Sequence, residues 1–253
     1  MSTTMTYDFI RQKQAAGETL FAVLIDPDKG DARSVVSLVK AGERTGVDLF
    51  LVGGSLMMSD RLEAVLRLVR NNTNAPVVLF PGQTMQVHPH ADALLLLSLI
   101  SGRNADFLID RQVNAAPSIR RSGLEVIPTG YMLIGGGRLT AVHYLSATLP
   151  LPQDKPELAA CTAMAGEMLG LKMMYLEAGS GAEEPVRAGV IGAVRAAVEV
   201  PVVVGGGLRE ARQVGEVARA GADLIVVGTV LETQPALLPR LVAAAKEKNP
   251  HAR

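Results

Sequence analysis

Val202-Val203-Val204-Gly205-Gly206-Gly207 is followed, after fourteen residues, by Ala222-Asp223-Leu224-Ile225-Val226-Val227-Gly228-Thr229. Each is a short, apolar, β-branched run that stops at glycine. Glycine has no Cβ, so backbone N–H groups there can approach a bound oxyanion closely. Two such strand ends in the last quarter of a chain of repeating strand and helix patterns predict the phosphate cup of a (β/α)8 barrel. That cup is built by the loops after strands 7 and 8. A phosphate ester is the expected ligand.

Upstream, the same pattern recurs. Strand candidates fall at 20–26, 48–53, 76–80, 92–97, 124–129, 172–178, 201–205 and 222–228. Amphipathic helical stretches at 33–45, 60–71, 157–169, 186–198, 210–220 and 236–248 separate most of them. Alternation of this kind means parallel strands. Eight units in 253 residues predict an α/β fold, one closed TIM barrel domain over 1–253, in preference to an open doubly wound sheet. The first nineteen residues are expected to form a short helix across the barrel bottom.

One connection departs from the pattern. Between Phe80 and Asp92 the chain holds Pro81 and Pro89 and is too short for a crossover helix. Either the third helix is modified or missing, or the strand boundaries slip. A missing helix would leave a groove on the barrel wall.

Composition narrows the function. Lys plus Arg and Asp plus Glu both number 25, so no field for nucleic acid or anionic membranes is expected. Cys161 stands alone, which excludes an intrachain disulfide; it reads as a small buried apolar residue. The N-terminus has no signal-peptide pattern, and the most lipophilic stretch, 93–100, is far below the ~20 residues a bilayer requires. A cytoplasmic, soluble protein is expected. His88 and His90 read as exposed, and the histidines make no zinc spacing. P-loop, dinucleotide and nucleophile-elbow motifs are absent.

Barrel chemistry sits at the C-terminal strand ends. Asp26 ends the first strand. It reads equally as an oxygen ligand for Mg²⁺ and as the cap of an Asp-Pro turn, while Asp28 and Lys29 read as plain loop charges. Ser55 follows the second strand as a metal ligand, a phosphate contact or a helix cap. In Tyr175-Leu176-Glu177-Ala178-Gly179-Ser180-Gly181, Tyr175 and Glu177 share a face. A glutamate in so apolar a strand is costly unless used, which makes Glu177 a candidate general base, with a structural ion pair as the alternative. Gly179, Ser180 and Gly181 could add phosphate donors. Gly135-Gly136-Gly137 reads as a loop with no strand directly before it.

These motifs, together with Phe21–Lys29 (reading FAVLIDPDK), Val52-Gly53-Gly54-Ser55, Leu79-Phe80-Pro81-Gly82, 97–104 (LSLISGRN) and Pro128-Thr129-Gly130-Tyr131, resemble the geranylgeranylglyceryl phosphate synthases from about residue 20 to 235. Within them the chain looks like the longer-chain branch found in some archaea and Bacteroidetes-like bacteria. The resemblance implies a prenyltransferase that joins the C3 hydroxyl of sn-glycerol 1-phosphate to geranylgeranyl diphosphate and releases pyrophosphate. It implies Mg²⁺ at Asp26 and Ser55. It implies glycerol-phosphate contacts at Tyr175, Leu176, Glu177, Ala178, Gly179, Ser180, Gly181, Gly205, Gly206, Gly228 and Thr229, with Glu177 taking the hydroxyl proton. It also implies a homo-oligomer, dimer or hexamer, with at most peripheral membrane contact. Met85, Val87 and 94–100 are the expected wall for the tail. The chain departs from the pattern at Gln83, at Gly136 and at Leu24, where shorter members carry lysine. Rival readings are a longer donor such as heptaprenyl diphosphate, a phosphosugar isomerase or lyase, and a non-catalytic phosphometabolite-binding barrel.

Overall fold

The computed structural model of the chain describes residues 5–54, 56–82 and 87–247. Eight parallel strands close into a barrel in chain order. They are β1 (Leu20–Ile25), β2 (Leu49–Val52), β3 (Val77–Leu79), β4 (Ala93–Leu99), β5 (Glu125–Leu133), β6 (Met173–Glu177), β7 (Val202–Gly205) and β8 (Leu224–Val227). All eight predicted strands are present. β5 runs on to Leu133, so a strand does precede the Gly135–Gly137 triplet, against the sequence reading. Gly136 is needed for close packing, since a Cβ there would meet the Ala178 carbonyl at 2.7 Å.

The two-residue strand period sorts the core into two layers. Ala22, Leu51, Leu95, Tyr131, Tyr175 and Val203 fill the barrel interior. Val23, Phe50, Leu79, Met132, Leu176 and Val204 pack outward against the helices. The helices are α1 (Thr6–Ala15), α2 (Ala32–Thr45), α3 (Leu62–Arg70), α4 (Arg111–Ser122), α5 (Ala141–Ser146), α6 (Pro156–Met168), α7 (Ala188–Ala197), α8 (Ala211–Arg219), α9 (Thr229–Thr233) and α10 (Leu238–Ala245). The Asp31 carboxylate caps α2 by accepting from the Ser34 N–H at 2.8 Å, and Gly46 ends that helix at φ +79°.

As expected, α1 closes the bottom. Its Thr6 and Tyr7 N–H groups donate to the Glu125 carboxylate at 2.6 and 2.9 Å, and Ile10 plugs the interior. Acids at the strand starts tie the bottom rim together. Asp48, Asp92 and Asp223 accept from the N–H groups of Phe21, Val77 and Val202 at 2.8–2.9 Å. These carboxylates serve stability, at the barrel end remote from chemistry.

No helix occupies the described part of the connection between β3 and β4. The next connection compensates with a π-helical turn, Asp106–Asp110, running directly into α4. Among the described residues, no helix is long and apolar enough to cross a membrane. Cys161 is exposed, against the expectation of burial: it falls on the outward side of α6, away from the Ala159 and Ala163 stripe that packs inward.

Candidate active site

Two cavities open at the C-terminal end of the barrel and meet. The first is polar. Asp26, Lys29, Tyr175, Glu177, Ser180, Gly206, Gly228, Thr229 and Glu232 contribute to its lining. The second is apolar. It is lined by Leu95, Leu97 and Leu99 of β4, by Ala115 and Ile119 of α4, and by Pro81, Val87, Phe107 and Leu145. Gly54, Phe80, Tyr131 and Val142 line both.

Three rings stand at this junction. Phe80 stacks on Tyr175 with centroids 5.1 Å apart and planes 15° from parallel. Tyr131 tilts against both, at 6.0 Å from Phe80 and 5.5 Å from Tyr175. The register explains the tyrosine pair, because Tyr131 and Tyr175 are direct cross-strand neighbours on the inward face.

Glu177 forms the inner end of the polar cavity. Its Cα pairs with Leu133 on one side and Gly205 on the other, and its side chain is buried. Burial raises its pKa to about 7, opposed by the Gly179 N–H and by the neighbouring Tyr175 hydroxyl. The Gly179 N–H donates to Oε1 at 2.7 Å and holds the carboxylate in place. Among the described residues, the buried Tyr175 hydroxyl has no well-aligned hydrogen-bond partner. Burial and then the Glu177 charge hold its pKa well above the usual tyrosine range. The side chain is therefore a neutral donor beside a carboxylate that ionises near neutrality.

Glycine is obligatory around these two groups. A Cβ on Gly205 would lie 2.4 Å from the Tyr175 hydroxyl, and one on Gly206 would lie 2.3 Å from Glu177 Oε1. Gly206 also sits at φ +82°, a conformation unfavourable to other residues. The expected glycines thus make room for the reactive side chains, beyond exposing backbone N–H groups. The Ser180 and Thr229 hydroxyls lie 3.2 Å apart across the cavity and bring the ends of β6 and β8 together.

Leu176 and Ala178, expected as contacts, turn away from the cavity. The strand period points both side chains into the outer layer, and the Ala178 N–H is spent on the Gly205 carbonyl at 3.1 Å. Ser55 lies outside the described residues, as do Gln83 and Met85. Val87, Leu95, Leu96, Leu97 and Leu99 of the expected wall do line the apolar cavity, whereas Leu94 and Ile100 pack in the outer layer.

Asp26 is the turn cap the sequence offered, and it also stands at the barrel mouth. Its Oδ1 accepts from the Asp28 N–H at 3.1 Å as a turn cap, and its carboxylate also faces the cavity. Lys29 is not a plain loop charge. Its ammonium lies 3.4 Å from Asp26 and 3.3 Å from Glu232, inside the cavity. Glu232, one turn into α9, gave no signal in the sequence. Asp28 is used as a tether, accepting from the Met58 N–H at 2.5 Å and from the Ser59 hydroxyl. The only advance sign of Lys29 was its place three residues after the strand-end Asp26.

α5 was also unforeseen. Val142 touches both cavities, and Thr140 and His143 form a reciprocal cap at its start. The Thr140 N–H donates to His143 Nδ1 at 3.0 Å, and burial lowers the His143 pKa, which keeps the ring neutral. Thr140 packs so closely on Gly179 that a Cβ there would lie 2.3 Å from its hydroxyl. A six-residue helix is thereby pinned over the mouth. His88 and His90 are partly buried, not freely exposed, and both face Glu63.

Similarity to known proteins agrees with this geometry. The model of the PcrB family matches residues 8–246. A geranylgeranylglyceryl phosphate synthase from Spirosoma linguale is 51% identical over 240 residues, covering 95% of this chain and 96% of its own. One from Chitinophaga pinensis is 44% identical over 244 residues, covering 96% and 97%. The crystal structure of (S)-3-O-geranylgeranylglyceryl phosphate synthase from Thermoplasma acidophilum, in complex with its substrate sn-glycerol-1-phosphate, superimposes with a TM-score of 0.91 at 28% identity, covering 96% and 99%.

Proposed function

From the premise that this chain belongs to the PcrB family, we propose that it transfers the geranylgeranyl group from its diphosphate to the C3 hydroxyl of sn-glycerol 1-phosphate. The observation that carries the reading is the meeting of a polar cavity built around Glu177 with an apolar cavity, at the rings of Phe80, Tyr131 and Tyr175. Few reactions need both a buried base and a long greasy slot at one point.

The chemistry follows from the side chains. Ser180, Thr229 and the glycine backbone of the β7 and β8 ends hold the phosphate of glycerol phosphate, which directs its C3 hydroxyl toward Glu177. The prenyl tail lies among Leu95, Leu97, Leu99 and Ala115, with its reactive C1 at the aromatic junction. The bond from C1 to the diphosphate oxygen breaks, and its electron pair leaves with pyrophosphate. The glycerol oxygen forms the new bond to C1 as its proton passes to Glu177. Positive charge that builds on the allylic carbons faces the rings of Phe80, Tyr131 and Tyr175, which attract cations.

Mg²⁺ fits the other end of the donor. Asp26 offers a hard oxygen at the mouth, and Gly54 leaves the space beside that carboxylate open: a Cβ there would stand 3.2 Å from Asp26 Oδ1. A single carboxylate plus substrate phosphates is a usual Mg²⁺ setting. Asp26, with Ser55 as the expected second ligand, would hold the ion, which when bound neutralises charge on the leaving group. Lys29 would shift from Asp26 toward the diphosphate. The expected homo-oligomer has candidate faces in the exposed Tyr144 and Leu149 and in Met168 and Leu169 at the C-terminal end of α6.

The test is direct. Purified protein is incubated with Mg²⁺, labelled sn-glycerol 1-phosphate and a series of prenyl diphosphates, and label is counted in the organic phase. The expected result is a maximum with the C20 donor, abolished by EDTA. A maximum with heptaprenyl diphosphate would keep the chemistry and change the donor. No product with any donor, from folded protein, would reject the reading.

A further inference from the structure

Glu63 stands in the first turn of α3, while His88 and His90 lie on the segment leading into β4. None of the three lines either cavity described above. His88 Nε2 lies 3.6 Å from one Glu63 oxygen, and His90 Nε2 lies 3.9 Å from the other. One donor atom from each residue falls within 4.8 Å of the other two, and the imidazole centroids are 4.7 Å apart.

Two imidazoles and a carboxylate make the donor set of open, three-ligand zinc sites. Metal–ligand bonds of roughly 2.0–2.1 Å place tetrahedral donors about 3.3–3.4 Å apart. The His88 pair is a few tenths of an ångström wider than that spacing and the His90 pair about half an ångström wider. Each is on a different carboxylate oxygen, so an ion would draw the three side chains together. We propose that Glu63, His88 and His90 bind a zinc-type dication that fastens the β3–β4 connection to α3.

The location gives the ion a consequence. This connection has no helix among its described residues, and Val87, next to His88, lines the apolar cavity. A metal crosslink from the loop to α3 stiffens that side of the wall. It supplies by coordination what an outer helix supplies elsewhere by packing.

Two features oppose the ion and set its affinity. Arg67 Nη2 and Nε donate to Glu63 Oε1 at 2.6 and 3.0 Å, so one carboxylate oxygen is shared with a cation. The His90 N–H approaches His88 Nδ1 at 3.4 Å. A neutral imidazole that ligates through Nε2 carries its proton on Nδ1, so binding gives up that long contact. Removing the Arg67 charge therefore strengthens metal binding, a response that a mere surface ion-pair network would not produce.

The experiment uses the full chain without an affinity tag. Co²⁺ is titrated and followed by its visible absorption, and Zn²⁺ affinity is then measured by competition. Hydrogen exchange of 87–92 is recorded with Zn²⁺ and with Mg²⁺. The expected result is one ion per chain and Zn²⁺-dependent protection of 87–92 that Mg²⁺ does not give. Affinity should fall at least about tenfold in His88→Gln and in His90→Gln, and rise in Arg67→Gln. Asp26→Asn should bind Zn²⁺ like the parent, which separates this site from the catalytic one. Circular dichroism confirms that each variant is folded. Zn²⁺ affinity that ignores His88→Gln and His90→Gln, or that fails to rise in Arg67→Gln, overturns the site, as does the absence of a Co²⁺ spectrum.

Discussion

Where β6, β7 and β8 end, the chain turns within a few residues, through Gly179, Gly206 and Gly228, and presents hydroxyls and a carboxylate to a polar cavity. Where β3 and β4 end, it does the opposite. A loop without a helix among its described residues, then a π-helical turn and α4, leave an apolar cavity lined by leucines, aromatic rings and smaller apolar side chains. The first region makes its site by backbone approach, so nearly every position is sterically committed. The second makes its site by omission of packing, so its positions can vary in size while the cavity remains.

Four variants would break or sharpen that contrast. Glu177→Gln should cause the largest loss, roughly 10²–10⁴-fold in kcat, because no other buried carboxylate lines the polar cavity near Tyr175 among the described residues. The parent's kcat/KM should rise with pH through about 7 as Glu177 ionises. Stability moves the other way. Folding raises this pKa above its ordinary 4.5, so folding favours the protonated form. That contribution is fully present below the ordinary value and is lost as pH rises through about 7, by on the order of a few kcal/mol. Urea denaturation at pH 5 and pH 8 should show the fall in the parent and a flatter profile in Glu177→Gln.

Next comes Gly206→Ala. The added Cβ meets Glu177 Oε1 and the Gly179 N–H within 2.7 Å, at a positive φ. Displacing the base should cost about 10²-fold in kcat, and the backbone strain about 1–3 kcal/mol of stability. Steady-state kinetics beside a melting curve would separate the two. Near-parent activity would show that the polar rim is less committed than its geometry implies.

Ala115→Phe, on the apolar side, should leave the KM for glycerol phosphate alone. It should raise the KM for the C20 donor roughly tenfold or more while sparing a C10 donor, because the new ring fills the slot. Equal losses for both donors would place the tail elsewhere. The smallest effect is expected from Gly189→Ala in α7, where a Cβ meets nothing within 4 Å. It should leave activity unchanged and stabilise by about 0.5–1 kcal/mol, which makes it the matched control for Gly206→Ala.

The same contrast separates what was legible in the sequence from what was not. Asp26, Tyr175, Glu177, Gly206 and Thr229 could be read because each lies within a few residues of the C-terminal end of a strand, where strand period assigns the inward face. That rule also corrects the two residues read too generously, Leu176 and Ala178, which alternate outward. Lys29 and Glu232 were illegible because they meet across 203 residues of chain. Phe80 and Tyr131 joined Tyr175 only through the closure of the barrel. The approach of Glu63 to His88 and His90 was illegible for a related reason: a helix before β3 brings the carboxylate to the two imidazoles.

By itself, the sequence determined the barrel, its strand order and the residues that face its mouth. Those depend on local periodicity and on glycine, which act over a few residues. Only the tertiary structure decided that Glu177 is buried deeply enough to ionise near neutrality, that Gly205 and Gly206 are glycines to make room for Tyr175 and Glu177, and that an apolar cavity joins the polar one. Burial, clearance and cavity shape are properties of atoms brought together from distant parts of the chain, and no local pattern of residues encodes them.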